Sequence, residues 1–213
     1  MPKWLLLIPT QFERDFIASE IDKLLARTDG EFAIELCGFG PVVAAARTAV
    51  LLALHQPDRA VLLGIAGGYE AELTRAYRFA SVGCYGIGVG TGPEFQTAQE
   101  MGWAHWAGAS NQTSDRIDDV ITLADQTGSR QLLTVCAASK TKDDVTQRRG
   151  AFPTAIAEDM EGFAVAAACQ LAGTPLTIVR GISNVAGVRD KSNWKIKEAM
   201  IAAWELAEQV IDG

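Results

Sequence analysis

The fold is decided by residues 155–166, which read AIAEDMEGFAVA. The stretch opens with small apolar residues that suit a buried strand and closes with alanine-rich sequence that suits a helix. Between the two lie three acids, Glu158, Asp159 and Glu161. A short apolar strand that leads directly into a helix is the repeating unit of α/β proteins. We therefore predict a strand followed by a helix, with carboxylates where the strand ends.

The same alternation of strand and helix extends from this stretch towards both ends of the chain. Short apolar runs predict strands over residues 4–8, 32–37, 60–63, 79–84, 86–89, 132–137, 154–157 and 176–179. Helical patterns predict helices that begin near residue 11 and cover residues 42–54, 141–149, 160–171 and 193–210. Residues 90–112 carry glycines and polar side chains and predict a mobile loop. Since no repeat or linker interrupts the pattern, we expect an α/β architecture in one domain over residues 1–213.

Composition and charge narrow the class of partner. The net charge of the 213-residue chain is −7, which argues against nucleic acid because phosphate binding requires clustered Lys and Arg. The apolar run at residues 5–8 stops at Pro9 and is too short for a signal peptide. No run approaches the roughly 20 apolar residues of a membrane span. We expect a cytoplasmic protein that binds a small molecule, with neither nucleic acid nor membrane as a partner.

The cysteines and histidines predict no metal site. The four cysteines, Cys37, Cys84, Cys136 and Cys169, are widely spaced, and the chain has only two histidines. This spacing matches no common metal-ligand pattern. Each cysteine has apolar neighbours in sequence, so we expect buried free thiols. We expect neither a metal nor an organic cofactor.

Two glycine-containing segments are candidates for close approach to a ligand. Gly38-Phe39-Gly40 lacks the third glycine and the downstream acid of a dinucleotide-binding fingerprint, and no P-loop sequence occurs. Residues 64–68, which read GIAGG, follow a predicted strand. Their backbone amides could approach a ligand, or the glycines could form a tight turn from strand to helix. The sequence leaves these two interpretations open.

Polar residues follow four of the predicted strands, at residues 10–13, 64–68, 158–161 and 183–184. In open α/β sheets ligands bind outside the carboxyl ends of the strands. We therefore expect these four segments to surround one cavity. Taken alone, the acids at 158–161 are better explained as residues of the first turn of a helix, where negative charge is favourable.

Residues 155–166 resemble the signature of the purine nucleoside phosphorylase and nucleosidase superfamily. The resemblance is collinear and includes the loop of Glu13, residues 64–68, the Met160-Glu161 pair and residues 179–184, whereas residues 90–130 match poorly. It implies a three-layer αβα fold with a central twisted mixed sheet. Within the superfamily, the tail that begins at Ser183-Asn184 and includes Trp194 is similar to the futalosine hydrolases, a branch near the methylthioadenosine/S-adenosylhomocysteine nucleosidases.

The resemblance implies roles for three residues at the sugar. Glu13 aligns with the carboxylate that activates the attacking water, Glu161 with the residue that binds the ribose hydroxyls, and Met160 with an apolar contact to the sugar. Cleavage of a glycosidic bond passes through an oxocarbenium-like sugar. A general base for water and a carboxylate beside the developing cation suit that reaction.

The base is predicted from Asn184, which stands where the adenine-cleaving nucleosidases carry an Asp that protonates the purine. An amide can donate to O6 of a 6-oxopurine and accept from its N7–H. We therefore predict hypoxanthine as the leaving base, although Asn184 could instead cap a turn. The resemblance places Ser139 near the strand that holds the base through its backbone. It also places Ala138 where the nucleosidases stack a Phe on the base, so this chain lacks that ring.

The residues around the glycine segment favour water over phosphate as the nucleophile. Residues 61–63 are apolar where a phosphorylase of the superfamily would carry an arginine, and Ile65 replaces a serine that would bind phosphate. We expect Ile65 and Gly67 to contact the substrate. Arg14 and Arg47 lie near the predicted site segments in sequence, so a phosphorylase remains an alternative.

The 5′ substituent is the least determined part of the substrate. Futalosine carries a carboxylate that Arg180 or Arg189 could bind, although Arg189 could instead pair with Asp190, and Trp194 could cover the site or pack in the core. We predict hydrolysis of futalosine to hypoxanthine and dehypoxanthine futalosine, in menaquinone biosynthesis. The alternatives are a methylthioadenosine/S-adenosylhomocysteine nucleosidase, a purine nucleoside phosphorylase, and a silent nucleoside-binding protein. Relatives commonly form homodimers in which a partner loop completes the site, so we expect a homodimer.

Overall fold

The computed structural model describes residues 3–28, 30–109, 116–124 and 130–212. The strands are β1 (Trp4–Ile8), β2 (Phe32–Leu36), β3 (Arg59–Gly68), β4 (Ala76–Arg78), β5 (Ser81–Tyr85), β6 (Gly88–Val89), β7 (Gln96–Thr97), β8 (Val120–Thr122), β9 (Gln131–Val135), β10 (Ala155–Asp159) and β11 (Leu176–Val185). The helices are α1 (Gln11–Asp15), α2 (Ala18–Arg27), α3 (Pro41–His55), α4 (Lys142–Ala151), α5 (Gly162–Ala172) and α6 (Ile196–Asp212). The predicted α/β class is confirmed.

Nine of the strands form one mixed sheet. Its order is β2-β1-β3-β10-β9-β5-β8, and β11 pairs with both β3 and β4. The pairs β1–β2, β1–β3, β3–β11, β5–β9 and β9–β10 are parallel, whereas β3–β10, β4–β11 and β5–β8 are antiparallel. The strands β6 and β7 form a separate antiparallel pair.

Helices cover both faces of the sheet, and β1 shows how the sequence produces the layers. Its alternate residues Leu5 and Leu7 join a core cluster that includes α3 and α5. Leu6 and Ile8, which point the other way, join a second cluster that includes α2 and α6. Because both faces are buried, the strand reads as an uninterrupted apolar run. The expected three-layer αβα fold is therefore the observed one.

Two of the predicted elements differ in detail. The predicted first helix is two helices, α1 and α2, which are separated at Phe16 and Ile17. Phe12, an apolar residue of α1, is 57% exposed. Residues 64–68 are neither a loop nor a turn but the second half of β3, because β11 pairs with them as far as Gly68 and supplies a ladder of hydrogen bonds.

The segment predicted as a mobile loop contains local structure. A short 3-10 helix (Gly92–Glu94) and β7 lie within it, while residues 110–112 fall outside the described part of the chain. His105 is largely shielded from solvent and pairs with Asp119 through Nε2 and Oδ1 at 2.9 Å. This contact ties the segment to the end of the sheet that carries β8.

The cysteines are free, as predicted, but only three are buried. Cys37, Cys84 and Cys169 are buried, whereas Cys136, just after β9, is exposed. Among the described residues, no helix is long and apolar enough to span a bilayer.

Candidate active site

The site lies where the central strand β3 changes its neighbour. On one edge, β11 pairs with β3 from Ala60 to Gly68. On the other edge, β1 pairs with residues 59–62, and β10 pairs with Gly67 and Gly68. Because β1 runs parallel and β10 antiparallel to β3, their carboxyl ends face each other across the intervening gap. The residues that follow both strands therefore converge.

A cavity of about 330 Å³ opens at this gap. Seven of the eight site residues predicted from sequence line it: Glu13, Ile65, Gly67, Met160, Glu161, Asn184 and Arg189. The eighth, Ser139, is buried and binds the carboxylate of Glu158, a residue that does line the cavity. Arg14 and Arg47 are not among the lining residues, and Arg47 reaches Glu35 at 3.7 Å on the surface.

The start of α1 positions Glu13. Thr10 caps the helix: its hydroxyl accepts from the backbone N–H of Glu13 at 3.2 Å and donates to Glu13 Oε2 at 2.6 Å. The other oxygen, Oε1, accepts from the backbone N–H of Ile65 at 3.1 Å. Burial raises the pKa of Glu13, and the charge of Arg180 opposes the rise. A carboxylate with a raised pKa is a better base towards water.

Arg180, on β11, is completely buried and pairs with acids of the chain itself. Its Nε and Nη2 donate to Asp159 Oδ2 at 3.0 and 2.6 Å, and Nη2 lies 3.4 Å from Glu161 Oε2. Its guanidinium is therefore not the partner of a substrate carboxylate that the sequence left possible. Nη1 has no hydrogen-bond partner among the described residues, and it lies with Glu13 Oε1 against the Cα of Gly64.

Asp159 and Glu161 have different roles, helix capping and a place in the cavity wall, which the sequence did not assign to one or the other. Asp159 Oδ2 accepts from the backbone N–H of Gly162 at 2.8 Å and so caps α5. The carboxylate of Glu161 instead accepts from the backbone N–H of Gly40 at 3.0 Å, at the start of α3. Gly40 has a φ of 78°, a conformation that favours glycine. The helix-capping explanation therefore applies to Asp159, and Glu161 faces the cavity.

The surroundings of Glu161 disfavour the charged form of its carboxylate. Burial raises the pKa of Glu161 to about 7; Arg180 and the Gly40 amide act against the rise, and the charges of Asp159 and Glu13 add to it. Three carboxylates thus surround one buried guanidinium. Such an arrangement favours a ligand that develops positive charge between them.

Asn184 lies on β11, just past a bulge at Ser183, and is half-buried in the cavity wall. Its Oδ1 accepts from Ser183 Oγ at 2.9 Å, and its Nδ2 donates to the carbonyl of Val185 at 3.1 Å. An amide has two acceptor sites and two donor hydrogens. One of each is left for a ligand, so these local contacts orient the amide without exhausting it.

Arg189, which is exposed, and Trp194, which is half-buried, lie together in the cavity wall. The guanidinium of Arg189 lies 5.0 Å from the centre of the Trp194 ring. Asp190 does not use its carboxylate on Arg189 but accepts from Ser192 and Asn193. The cavity therefore has a cationic, aromatic rim that can bind an anionic aromatic group.

Glu158 and Arg148 are the polar residues that sequence analysis left without a role. They form a buried ion pair at 2.6 Å, which also includes Ser139 and the hydroxyl of Tyr69. A signal for Glu158 existed: it alternates with Asp159 in β10, so the two carboxylates point to opposite faces of the strand. Arg148 lies in a helix of mostly polar sequence, where nothing distinguishes it from its solvent-facing neighbours.

Known proteins that are similar to this chain identify its family. The family model described as Phosphorylase superfamily matches residues 14–213. A futalosine hydrolase from Thermus thermophilus is 32% identical over 93% of this chain and 91% of its own. A 5′-methylthioadenosine/S-adenosylhomocysteine nucleosidase from Colwellia psychrerythraea is 27% identical over 70% of this chain, but the match spans 65% of that protein, just under two thirds.

Solved structures show the same fold. The native structure of futalosine hydrolase from Helicobacter pylori superimposes with a TM-score of 0.73, covering 100% of this chain and 98% of the other at 14% identity. At that identity the likeness shows the fold alone. The family match and the T. thermophilus relative show that the chain belongs to the phosphorylase superfamily, in which it is an N-glycosidase of the nucleosidase type that resembles the futalosine hydrolases.

Proposed function

We propose that the protein hydrolyses the N-glycosidic bond of a 6-oxopurine nucleoside and releases hypoxanthine. The observation that carries the proposal is the placement of Glu13, Glu161 and Asn184 around one cavity. The reaction needs water on one face of the sugar, stabilisation of the sugar cation, and a base that can leave. Each of these residues can meet one of those needs.

Glu13 takes the proton of the attacking water. Its raised pKa and its hydrogen bonds to Thr10 and Ile65 hold an oriented, basic carboxylate in the cavity. Arg180 Nη1 lies against Gly64 together with Glu13 Oε1, so the two groups can hold one water between them. Glu161 accepts hydrogen bonds from the ribose hydroxyls, and its charge favours the oxocarbenium ion as the bond breaks.

Asn184 identifies the base. Its remaining N–H donates to O6 of the purine, and its remaining acceptor site accepts a hydrogen bond from N7–H of the leaving hypoxanthine, whose added proton balances the one that Glu13 takes from water. A 6-aminopurine has a donor at position 6, which would face the amide N–H. A mismatch of this kind at a buried polar site costs orders of magnitude in selectivity.

Futalosine is the proposed substrate, with dehypoxanthine futalosine as the second product. The rim of Arg189 and Trp194 suits the carboxylated aromatic group at its 5′ end, and the relative from T. thermophilus is named futalosine hydrolase. This assignment places the enzyme in menaquinone biosynthesis. Free cysteines, three of them buried, support the reducing cytoplasm as its location.

Two alternatives keep the chemistry. The C. psychrerythraea relative is named for methylthioadenosine and S-adenosylhomocysteine, and Asn184 in place of Asp is what separates this chain from that activity. A phosphorylase needs arginines around the phosphate, and the two candidates from the sequence, Arg14 and Arg47, do not line the cavity. A silent nucleoside-binding protein would have no need of the buried acids Glu13 and Glu161, whose ionisation costs folding energy.

We further propose a homodimer with its interface at α3. Val42, Val50 and Leu54 of this helix are 80%, 56% and 68% exposed, and apolar patches of this kind typically mark interfaces. The patch continues to the cavity through Phe39, which precedes α3, and Phe12, both of which line the cavity and are exposed. A second copy on this surface would cover the mouth of the cavity.

The test is to incubate the protein with inosine, methylthioadenosine and futalosine, with and without phosphate, and to separate the free bases by chromatography. We expect hypoxanthine from futalosine, at the same rate without phosphate. Release of adenine alone would contradict the oxopurine assignment, and a requirement for phosphate would contradict hydrolysis. A folded protein that turns over none of the three would be a binding protein.

A further inference from the structure

Glu158 is a buried acid of the cavity wall to which the mechanism above assigns no role. It pairs with Gly67 on one edge of β3, and Asn184 pairs with Gly67 on the other edge. Residues paired across a sheet point to the same face. Nδ2 of Asn184 lies 3.4 Å from the position that a Cβ on Gly67 would occupy, so the amide is on that face. The carboxylate of Glu158 and the amide of Asn184 therefore lie on either side of Gly67, which has no side chain. Their Cα atoms are two strand spacings, about 10 Å, apart.

The surroundings of Glu158 make it an acceptor. Its Oε2 accepts from the Tyr69 hydroxyl at 2.8 Å, from Ser139 Oγ at 2.7 Å and from Arg148 at 2.6 Å. Its Oε1 accepts from the backbone N–H of Ser139 at 2.7 Å. All of these partners are donors, and one of them, Arg148, is the ion-pair partner, so both oxygens of Glu158 act as acceptors. Of its two oxygens Oε1 has the fewer partners, and one lone pair is left for a ligand.

We propose that Glu158 accepts a hydrogen bond from the N1–H of the purine, so that Glu158 and Asn184 read the base from both sides of O6. This inference rests on the proposed function, since it concerns the same substrate. In a 6-oxopurine N1–H and N7 lie on either side of the carbonyl at C6. An amide at O6 and N7 and a carboxylate at N1 together match the three groups in order. The row Glu158, Gly67 and Asn184 supplies that order across three strands.

A carboxylate at this position rejects 6-aminopurines for a reason separate from Asn184. In adenine N1 is an acceptor without hydrogen, so its lone pair would face the lone pairs of the carboxylate. A site built to bind a substrate N–H discriminates strongly against an analogue that lacks it. Two neighbouring positions of the base are therefore tested independently, and replacing Asn184 by Asp alone would not produce an efficient adenosine hydrolase.

The first experiment changes the substrate and leaves the protein intact. The wild-type enzyme is assayed on inosine and on 1-methylinosine, which keeps O6 and N7 but has no N1–H. We expect kcat/KM to fall at least about tenfold for the methylated nucleoside. Equal rates for the two nucleosides would overturn the role of Glu158 and leave the proposed function standing. Failure of a folded wild-type enzyme to cleave inosine or futalosine would instead remove the proposed function and this inference with it.

The second experiment changes the protein. Because Glu158→Gln alone would strand the charge of Arg148, the variant is Glu158→Gln with Arg148→Gln, which keeps the buried pair neutral. We expect the ratio of kcat/KM for inosine to that for 1-methylinosine to shrink at least about tenfold relative to wild type. The control is Tyr69→Phe, which removes a donor from Oε2 alone and should leave the ratio as in wild type. An equal loss on both nucleosides in the double variant would mean that Glu158 only supports the fold. Should that variant fail to fold, the comparison of the two substrates with wild type decides.

Discussion

Arg180 explains how three carboxylates can be buried side by side. An isolated buried charge is very costly, but one that is paired and hydrogen-bonded is tolerated. Asp159 binds Arg180 through two nitrogens, Glu161 lies 3.4 Å from it, and Glu13 is close enough for Arg180 to act against the rise of its pKa. Asp159 also caps α5. It therefore supports the fold, which leaves the two glutamates to face the cavity.

Glu13 is the residue whose loss should affect the chemical step most. Glu13→Gln keeps the size and the acceptor for Ile65 but removes the base, so we expect kcat to fall about 10²–10⁴-fold. The measurement is base release under saturating substrate, with circular dichroism to verify the fold. The control is Glu20→Gln, the same change at an acid of α2 whose side chain is 38% exposed and pairs with Lys23. Equal activity of the two variants would contradict the assignment.

The carboxylate of Glu161 should lower the stability of the fold while being required for activity. Because burial raises the pKa of Glu161 from 4.5 to about 7, the folded state binds a proton between these pH values that the unfolded state has lost. This group therefore destabilises the fold fully above pH 7, less as pH falls, and not at all below about 4.5. We expect Glu161→Gln to raise the free energy of unfolding at pH 8 by about 1–3 kcal/mol while activity is lost.

The measurement is urea unfolding of wild type and Glu161→Gln at pH 8 and near pH 4.5. The difference between the two proteins isolates the titration of this one group from all the others. The gain in stability should vanish at the lower pH. A gain of the same size at both pH values would contradict the raised pKa.

At the scale of the element, β3 is where strand geometry and the site meet. Its first half is apolar and packs in both cores, and its second half contains three glycines yet remains a strand, because β11 and then β10 supply hydrogen bonds. Position 64 is a glycine for a steric reason. A Cβ there would overlap Arg180 Nη1 and lie 2.8 Å from Glu13 Oε1. The absence of a side chain at this point lets the guanidinium and the carboxylate approach the strand.

Gly64→Ala should therefore damage both stability and activity. Since the methyl group would displace Arg180 or Glu13, we expect a loss of about 1–3 kcal/mol in unfolding free energy, together with a large fall in kcat. The matched control is Gly150→Ala in α4, where an added Cβ meets nothing within 4 Å and helix propensity favours alanine. That variant should be neutral or slightly more stable. Thermal unfolding of the two proteins compares them directly; similar melting temperatures would refute the steric explanation.

At the scale of the whole molecule, the two helical layers differ in what they show to solvent. α6 and α2 bury their apolar residues against one face of the sheet. On the other face α3 buries Ala44, Leu51 and Leu52 but also exposes three valines and one leucine. A helix that is apolar nearly all round is expected to be buried. The exposed side of α3 is thus the surface on which we expect the second copy.

Val50→Glu should break the dimer. A charge at the centre of an apolar interface is costly, so we expect the mass in solution to fall from dimer to monomer, as measured by light scattering after gel filtration. If the partner covers the cavity, kcat/KM falls as well. The control is Ile201→Glu on α6, at a residue 39% exposed on the opposite layer. A wild-type protein that is monomeric at micromolar concentration would contradict the proposed interface.

The sequence by itself determined the α/β class, the order of the main strands and helices, and several of the residues that line the cavity, whereas β4, β7 and β8 were not predicted. Residues 155–166 and the strand at 4–8 carry their pattern locally, because the buried strands are short apolar runs and the helices keep their periodicity. The extent of the single domain stays a prediction. The segments that hold Glu13, Glu161 and Asn184 could be selected because each follows a predicted strand, and strand ends share one edge of a sheet. The choice of these three residues within the segments came from the resemblance to the superfamily.

Only the tertiary structure decided which polar residue does what. That Arg180 is internal, that Asp159 rather than Glu161 caps α5, and that Glu158 lies beside Gly67 opposite Asn184 all depend on strand pairing between distant segments. Pairing and register are set by the packing of the whole sheet, and a shift of one residue would turn each side chain to the other face. The local sequence does not predict these pairings. An acid at the end of a strand has the same sequence pattern whether its side chain caps a helix, pairs with a guanidinium or binds a substrate.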